Sequence, residues 1–209
     1  MKNMQFKSKW VKSDSMLEEN IKSHPAKYGI PLKPRIEVVL KQIHFQTSKL
    51  DTILNDLKSK DLEIFRKITS STNGNNAQYS AVLSSDFVQI RKVSKILSLS
   101  KILFEKLENN LSTVSDFIHL VTLLSPALAV VKYLRSSLIR CIPETEDEIG
   151  SISELLGGIL VDAGLVGSYT INFKTANEEA VRLINEASLI AEQKIKEQFS
   201  DLPNLSSVS

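Results

Sequence analysis

The longest helical pattern in the chain is residues 35–111, which read RIEVVLKQIHFQTSKLDTILNDLKSKDLEIFRKITSSTNGNNAQYSAVLSSDFVQIRKVSKILSLSKILFEKLENNL. An apolar residue recurs every seven positions in each half, first at Ile36, Ile43, Leu50, Leu57 and Ile64 and then at Leu83, Ile90, Leu97, Phe104 and Leu111. Because seven residues make nearly two turns, each set lies along one side of a helix. The polar residues 70–76 predict a turn between the halves. The pattern predicts an antiparallel hairpin of two helices, each about 33 residues and about 50 Å long.

Shorter helical patterns follow the hairpin. Apolar spacing predicts a third helix over residues 114–142, a weak helix over 145–163 that contains Gly157 and Gly158, and an amphipathic helix over 175–199. We expect Pro126 to kink or break the third helix early. Residues 166–173 read as a short strand or an extended linker. The predicted fold class is all-α: a long helical hairpin with additional shorter helices and acidic C-terminal helices.

Charge is divided unevenly along the chain. Residues 1–141 contain 22 Lys and Arg against 12 Asp and Glu, whereas residues 142–209 contain 4 against 12, within an overall net charge of +2. A basic body attracts anionic surfaces, and an acidic tail can compete for the same face. We expect regulatory acids at the start of the weak helix, where the helix dipole favours negative charge: Glu144, Glu146, Asp147 and Glu148.

The N-terminal residues combine large apolar groups with lysine. No acidic residue precedes Asp14, and the candidate membrane-binding residues are Phe6, Lys7, Lys9, Trp10 and Lys12. Aromatic side chains beside lysines suit a membrane interface that contains phosphates. A disordered basic tail, or a Trp packed against the hairpin, explains the same composition. We also expect Arg91, Lys92 and Lys95 of the second hairpin helix to bind phosphates of lipid or nucleic acid.

These features divide the chain into three regions. Residues 1–34 form a basic N-terminal segment for membrane contact with a short helix, residues 35–142 a helical core, and residues 143–209 the acidic regulatory helices and tail. The hairpin has more apolar positions than two helices need, so we expect a third helix or another copy to cover them. The candidate core and polymerisation residues are Ile43, Leu50, Leu57, Leu83, Ile90, Leu97 and Phe104.

Catalytic and metal-binding patterns are not found in the sequence. The three histidines (His24, His44, His119) are far apart, Cys141 is the single cysteine, and Gly157-Gly158 does not open a phosphate-binding loop. We therefore expect no enzymatic activity, no catalytic residue, no metal and no cofactor. We also expect no membrane-spanning segment, because no run approaches about 18 apolar residues, and no signal peptide.

Several short motifs, in their order along the chain, resemble a known family. They are residues 32–37 (LKPRIE), 49–51 (KLD), 60–65 (KDLEIF), 125–128 (SPAL), 142–144 (IPE) and 160–164 (LVDAG). With the basic aromatic N-terminus and the long hairpin, they resemble the ESCRT-III proteins, specifically the archaeal cell-division members of the CdvB type. The resemblance covers roughly residues 5–200 and rests on the order of helices and charges.

The resemblance implies a function. Members of this family polymerise through the hairpin and the next helix, bind anionic membrane with the basic face and N-terminus, and restrain the closed monomer with acidic C-terminal helices. An AAA ATPase remodels the filaments as membrane necks are constricted and cut. The implied partners are the chain itself, paralogous subunits, that ATPase and anionic membrane, at the cytoplasmic, inner membrane face of the division site. Larger members add a Pro-rich stretch and a winged-helix region, so this chain resembles a shorter paralogue.

Two other classes of function fit the composition. A basic helical module that binds nucleic acid would explain the lysines, but arginine is scarce and no helix-turn-helix signature is visible, so no nucleic-acid partner is expected. A coiled-coil scaffold would use its charged faces only for solubility. Dependence of binding on lipid composition favours the membrane hypothesis, whereas a steep salt dependence with duplex DNA favours the nucleic-acid one.

Overall fold

The computed structural model describes residues 32–72, 77–113, 117–167 and 173–199. These residues form five α-helices, α1 (Leu32–Thr72), α2 (Ala77–Ser112), α3 (Phe117–Leu138), α4 (Glu146–Gly167) and α5 (Phe173–Gln198), with a 3-10 turn at Pro143–Thr145. The described ranges contain no strand, which confirms the all-α prediction. The short helix and the aromatic and lysine residues expected in residues 1–31 lie outside them.

Helices α1 and α2 form the predicted antiparallel hairpin. Contacts between them run in opposite directions along the chain: Asp61 meets Arg91, Asp51 meets Lys101, and His44 lies 3.1 Å from Glu108. The helices contain 41 and 36 residues, so each is longer than the heptad pattern alone indicated. Helix α1 already includes Pro34, because a proline in the first turn removes an N–H that has no partner within the helix.

One apolar core joins all five helices. Helix α3 packs against α4, α5 and α2, while α4 also contacts α1 and α5 contacts α2. Leu124, Val131 and Leu138 of α3 are fully buried beside Leu97 and Phe104 of the hairpin. A second, smaller cluster of Ile68, Leu83 and Phe87 lies near the turn of the hairpin. The apolar surface of the hairpin near α3 is therefore covered within a single chain.

Of the kink or break that we expected at Pro126, the break is wrong. Helix α3 runs through this proline from Phe117 to Leu138. An internal proline costs about 3 kcal/mol because it removes a backbone donor and crowds the preceding turn. Here Pro126 is buried between the core residues Leu124 and Ala127. Burial of that apolar stretch offsets the cost, so tertiary packing decides the outcome.

The connection after α4 also differs from the prediction. Residues 166 and 167 belong to α4, and residue 173 begins α5, so both described ends of the expected strand or linker are helical. Gly157 and Gly158 do not shorten α4 either. Burial of Leu155, Leu156 and Ile159 on both sides of these glycines holds the helix against the core.

Candidate functional site

The candidate site is the interface at which the basic hairpin meets the acidic helices α4 and α5. Between α2 and α5, Lys106 Nζ lies 2.8 Å from Glu186 Oε2, and Lys95 forms an ion pair with Glu192. The lysine hydrogen bonds lower the pKa of both glutamates. Since these four side chains are partly exposed, water and salt screen each pair. The two pairs match positive to negative charge at two places in the contact.

The contact between α1 and α4 also pairs positive side chains with negative ones. Lys49 Nζ and Gln46 Nε2 both donate to Glu148 Oε2 at 2.9 Å, and these bonds, chiefly the one from Lys49, hold the pKa of Glu148 below its ordinary value. Near the other end of α4, Asp162 accepts from Arg35, whose side chain is only 3% exposed. Buried or half-buried donors thus hold two acids of α4 on α1.

A third cluster lies near the turn of the hairpin. Arg91 Nε lies 3.2 Å from Asp61 Oδ1, and the Asp61 side chain is 1% exposed. The guanidinium carbon is 4.1 Å from the centre of the Phe87 ring and 5.8 Å from that of Phe199. A guanidinium over aromatic rings is attracted by their negative faces. Arg91 therefore joins α1, α2 and the residue that follows α5.

The four acids expected to be regulatory lie in different surroundings. Glu144 is exposed in the 3-10 turn, and Glu146 accepts from Arg135 Nη2 at 3.0 Å. Asp147 is exposed and makes no ion pair with any residue in the described ranges. Among these four acids, Glu148 alone forms an ion pair with the hairpin within the described ranges. The four neighbouring acids therefore do not share one partner.

Of the three cations expected to bind phosphates, two already form ion pairs within the chain. Arg91 and Lys95 bind acids of the same chain, whereas Lys92 is exposed. All the expected core residues except Ile90 lie in the two apolar clusters or pack against them. Five are buried, namely Ile43, Leu50, Leu83, Leu97 and Phe104, while Leu57 and Ile90 are half-buried.

Several residues of this interface were missed in the sequence. One of them left a visible signal: Asp61 stands seven residues after Leu54 and seven before Ile68, so an acid occupies an apolar position of the heptad. The others left none, because a lysine or glutamate on a helix surface looks the same with or without a partner. These are Arg35, Lys49, Lys106, Asp162, Glu186 and Glu192.

The described ranges show no further chemistry at this interface. No three side chains among His, Cys, Asp and Glu come together there in a way that would hold a metal ion. Cys141 is half-buried, and burial raises the pKa of its thiol, so the reactive thiolate is disfavoured. No helix in the described part of the chain has both the length and the apolar character needed to cross a bilayer.

Comparison with known proteins identifies relatives. The chain is 29% identical over 186 residues to Cell division protein B1 of Sulfolobus acidocaldarius, an alignment that covers 89% of this chain and 87% of that protein. It is 24% identical over 178 residues to Cell division protein B of the same organism, covering 85% of this chain and 68% of the relative. No protein-family model and no solved structure matches. Over most of its length, and with its helical hairpin and acidic C-terminal helices, the chain is similar to archaeal cell-division proteins of the CdvB type.

Proposed function

We propose that this chain is a non-enzymatic subunit of a cell-division machinery, which polymerises on anionic membrane and drives membrane constriction and scission. The names of its relatives support the division role. The observation that carries the membrane role is the pairing of hairpin cations with α4 and α5 acids. A basic surface neutralised by its own chain becomes available when those helices leave.

The proposed opening step has a physical basis in the interface. Within the described ranges, Lys95 and Lys106 pair with partly exposed glutamates of α5, and such pairs are weak and salt-sensitive. An anionic membrane offers many phosphates near one surface and competes with two carboxylates. Membrane would therefore favour the form in which α5 has left α2. Insertion of Phe6 and Trp10 at the membrane interface, beside the neighbouring lysines, would strengthen membrane binding.

Polymerisation would use the hairpin. Exposed apolar side chains lie near its turn, at Leu62, Tyr79, Val82 and Val88. Departure of α5 would add the core residues that it covers, since Ala187 and Ala191 of α5 are fully buried. Exposed apolar surface of this kind favours association with another copy. The proposed partners in the polymer are other copies of this chain and paralogous subunits.

We further propose an AAA ATPase as the partner that remodels the polymer, and the cytoplasmic, inner membrane face of the division site as its location. These two proposals rest on the family resemblance. Helix α5 is the available surface for the ATPase, because Val181, Leu189 and Ile190 remain exposed on it. No cofactor is part of the proposal.

The experiment compares two double variants with equal charge. Glu186→Gln/Glu192→Gln removes both contacts of α5 with hairpin lysines, whereas Glu178→Gln/Glu197→Gln removes two acids of α5 that make no ion pair in the described ranges. Sedimentation with anionic liposomes and electron microscopy are the readouts. We expect more bound protein and more filaments from the first variant than from the control.

If the two variants bound liposomes equally, the ion pairs would no longer support the membrane proposal. Absence of liposome binding and filaments in every form would contradict the membrane proposal itself. Salt-dependent binding to duplex DNA in place of liposomes would favour the nucleic-acid alternative.

A further inference from the structure

A groove of about 530 Å³ lies between α1 and α4. It is lined by Val38, Lys41, Gln42, Phe45, Gln46, Asp147, Glu148 and Ser151. Its apolar wall is Phe45, whose side chain is 59% exposed, with the half-buried Val38 beside it. A large aromatic residue left this open beside a concave surface suits contact with another apolar group. We call this surface the α1–α4 groove.

The polar side of the α1–α4 groove is acidic. Asp147 and Glu148 contribute carboxylates, and Lys41 contributes the one positive charge among the lining residues. Glu148 is held by Lys49 and Gln46, whereas Asp147 makes no ion pair within the described ranges. Glu144 and Glu146 precede these acids in the chain. A partner with an aromatic body and several positive charges fits this combination.

The chain itself contains such a partner. Residues 1–12 contain Phe6 and Trp10 among four lysines and no acid. We propose that, in the arrangement seen here, these residues bind in the α1–α4 groove of the same chain, with an aromatic side chain against Phe45 and lysines near Asp147. The segment proposed to enter the membrane thus has a binding site on its own core.

The length of chain allows this contact. Residues 11–31 separate Trp10 from the start of α1, and at 3.3–3.6 Å per extended residue they reach roughly 70 Å. The groove begins at Val38, about 9 Å along α1 from Leu32, and extends to Gln46, about 21 Å along. A tether of this length also gives a high effective concentration near the groove. Binding within one chain is therefore favoured over binding to a second copy.

This inference deepens the proposed function and rests on it for its biological meaning. One wall of the groove is α4, which also supplies Glu148 to Lys49. If α4 leaves α1, the groove and the Lys49 pair are lost in one step. Departure of α4 would then free Lys49 and the N-terminal aromatic residues together.

Trp10 allows a direct test because it is the single tryptophan of the chain. Its fluorescence is measured in the full chain at low concentration without lipid, together with quenching by iodide and acrylamide. We expect a blue-shifted emission that quenchers reach poorly. Phe45→Ala should shift the emission to the red and raise the quenching constant. Loss of one aromatic contact lowers the ratio of bound to free segment by roughly two- to tenfold.

A second groove variant and a control variant complete the test. Asp147→Lys should have the same effect as Phe45→Ala, because it replaces an attraction with a repulsion. Val161→Ala removes an exposed apolar side chain from α4, the other helix of the groove, at a position outside the groove, and should change nothing. Circular dichroism verifies that each variant keeps its helices.

Three results would overturn the inference. They are a fully accessible Trp10 in the unaltered chain, a protected Trp10 that ignores both groove variants, and protection that disappears on dilution, which would assign the groove to a second copy. Liposome binding by a chain with an unprotected Trp10 would leave the proposed function standing. Protection without any liposome binding would support the groove and contradict the membrane role.

Discussion

Arg91 Nε donates a hydrogen bond of 3.2 Å to Asp61 Oδ1. The carboxylate is almost fully buried, and the guanidinium also lies over the ring of Phe87. A buried carboxylate without a cation is strongly disfavoured, so α1 and α2 are fixed in register at this point. The ring centre of Phe199 lies 5.8 Å from the same guanidinium carbon and connects this register to the C-terminal helix.

Arg91→Met should destabilise the chain because it leaves Asp61 buried without its cation. Breaking such a pair costs up to about 3–5 kcal/mol, and we expect the lower end since Arg91 is partly exposed. Urea unfolding followed by circular dichroism measures the loss. Lys92→Met, at the exposed neighbour, should have little effect. The double variant Asp61→Leu/Arg91→Met should recover most of the stability, and a double variant less stable than Arg91→Met would contradict this explanation.

Phe199→Ala should loosen the end of α5. Phe199 is 5% exposed and contacts Arg91, so its loss removes buried apolar area, worth up to about 3 kcal/mol at a helix end. Hydrogen exchange should become faster in residues 191–199, while α3 keeps its protection. Leu189→Ala is the matched control, because Leu189 is 69% exposed on the same helix. Equal exchange in both variants would show that Phe199 does not hold α5.

Acid should weaken the contact between α1 and α4. The hydrogen bond from Lys49 lowers the pKa of Glu148 from its ordinary value of 4.5. A group whose pKa is lower in the folded chain stabilises it above the ordinary value, and that contribution is lost as pH falls through the lowered pKa. Glu148→Gln should therefore be less stable than the unaltered chain near neutral pH, by at most about 1 kcal/mol after screening. The difference should vanish in acid.

Unfolding midpoints measured across this pH range test the Glu148 prediction. Glu154→Gln is the control, since Glu154 is exposed on the same helix without an ion pair in the described ranges. It should show no such pH-dependent difference. A Glu148→Gln difference that persists below the lowered pKa would mean that the ion pair is not its source.

Gly157→Ala should stabilise α4. A Cβ built on Gly157 meets no atom within 4 Å, and an alanine in a helix interior is favoured over glycine by roughly 0.5–1 kcal/mol. Gly150→Ala should behave similarly, because its Cβ would lie 3.8 Å from Arg135 Cζ, an ordinary contact. The melting temperature measured by thermal unfolding shows directly whether each substitution stabilises the chain. A lower melting temperature for Gly157→Ala would mean that α4 requires the flexibility of glycine there.

The apolar spacing of the sequence was enough to predict the hairpin. A seven-residue period is a local property, and each helix needs only its own side chains to reveal which face is buried. The acid at Asp61 inside that period also marked an unusual position, although only a partner across the hairpin explains it. The expected break at Pro126 was wrong because burial in the core outweighs a local preference.

The sequence alone determined that the chain is helical and that it forms a hairpin. It also determined that the charge is divided between a basic body and an acidic C-terminal part. Tertiary structure decided which charges meet: Lys106 with Glu186, 80 residues away, and Lys49 with Glu148, 99 residues away. It also placed Phe45 in an open groove beside Asp147. The physical reason is that periodicity is set by neighbours along one helix. The pairing of two distant helix faces depends instead on how all five helices pack around one core.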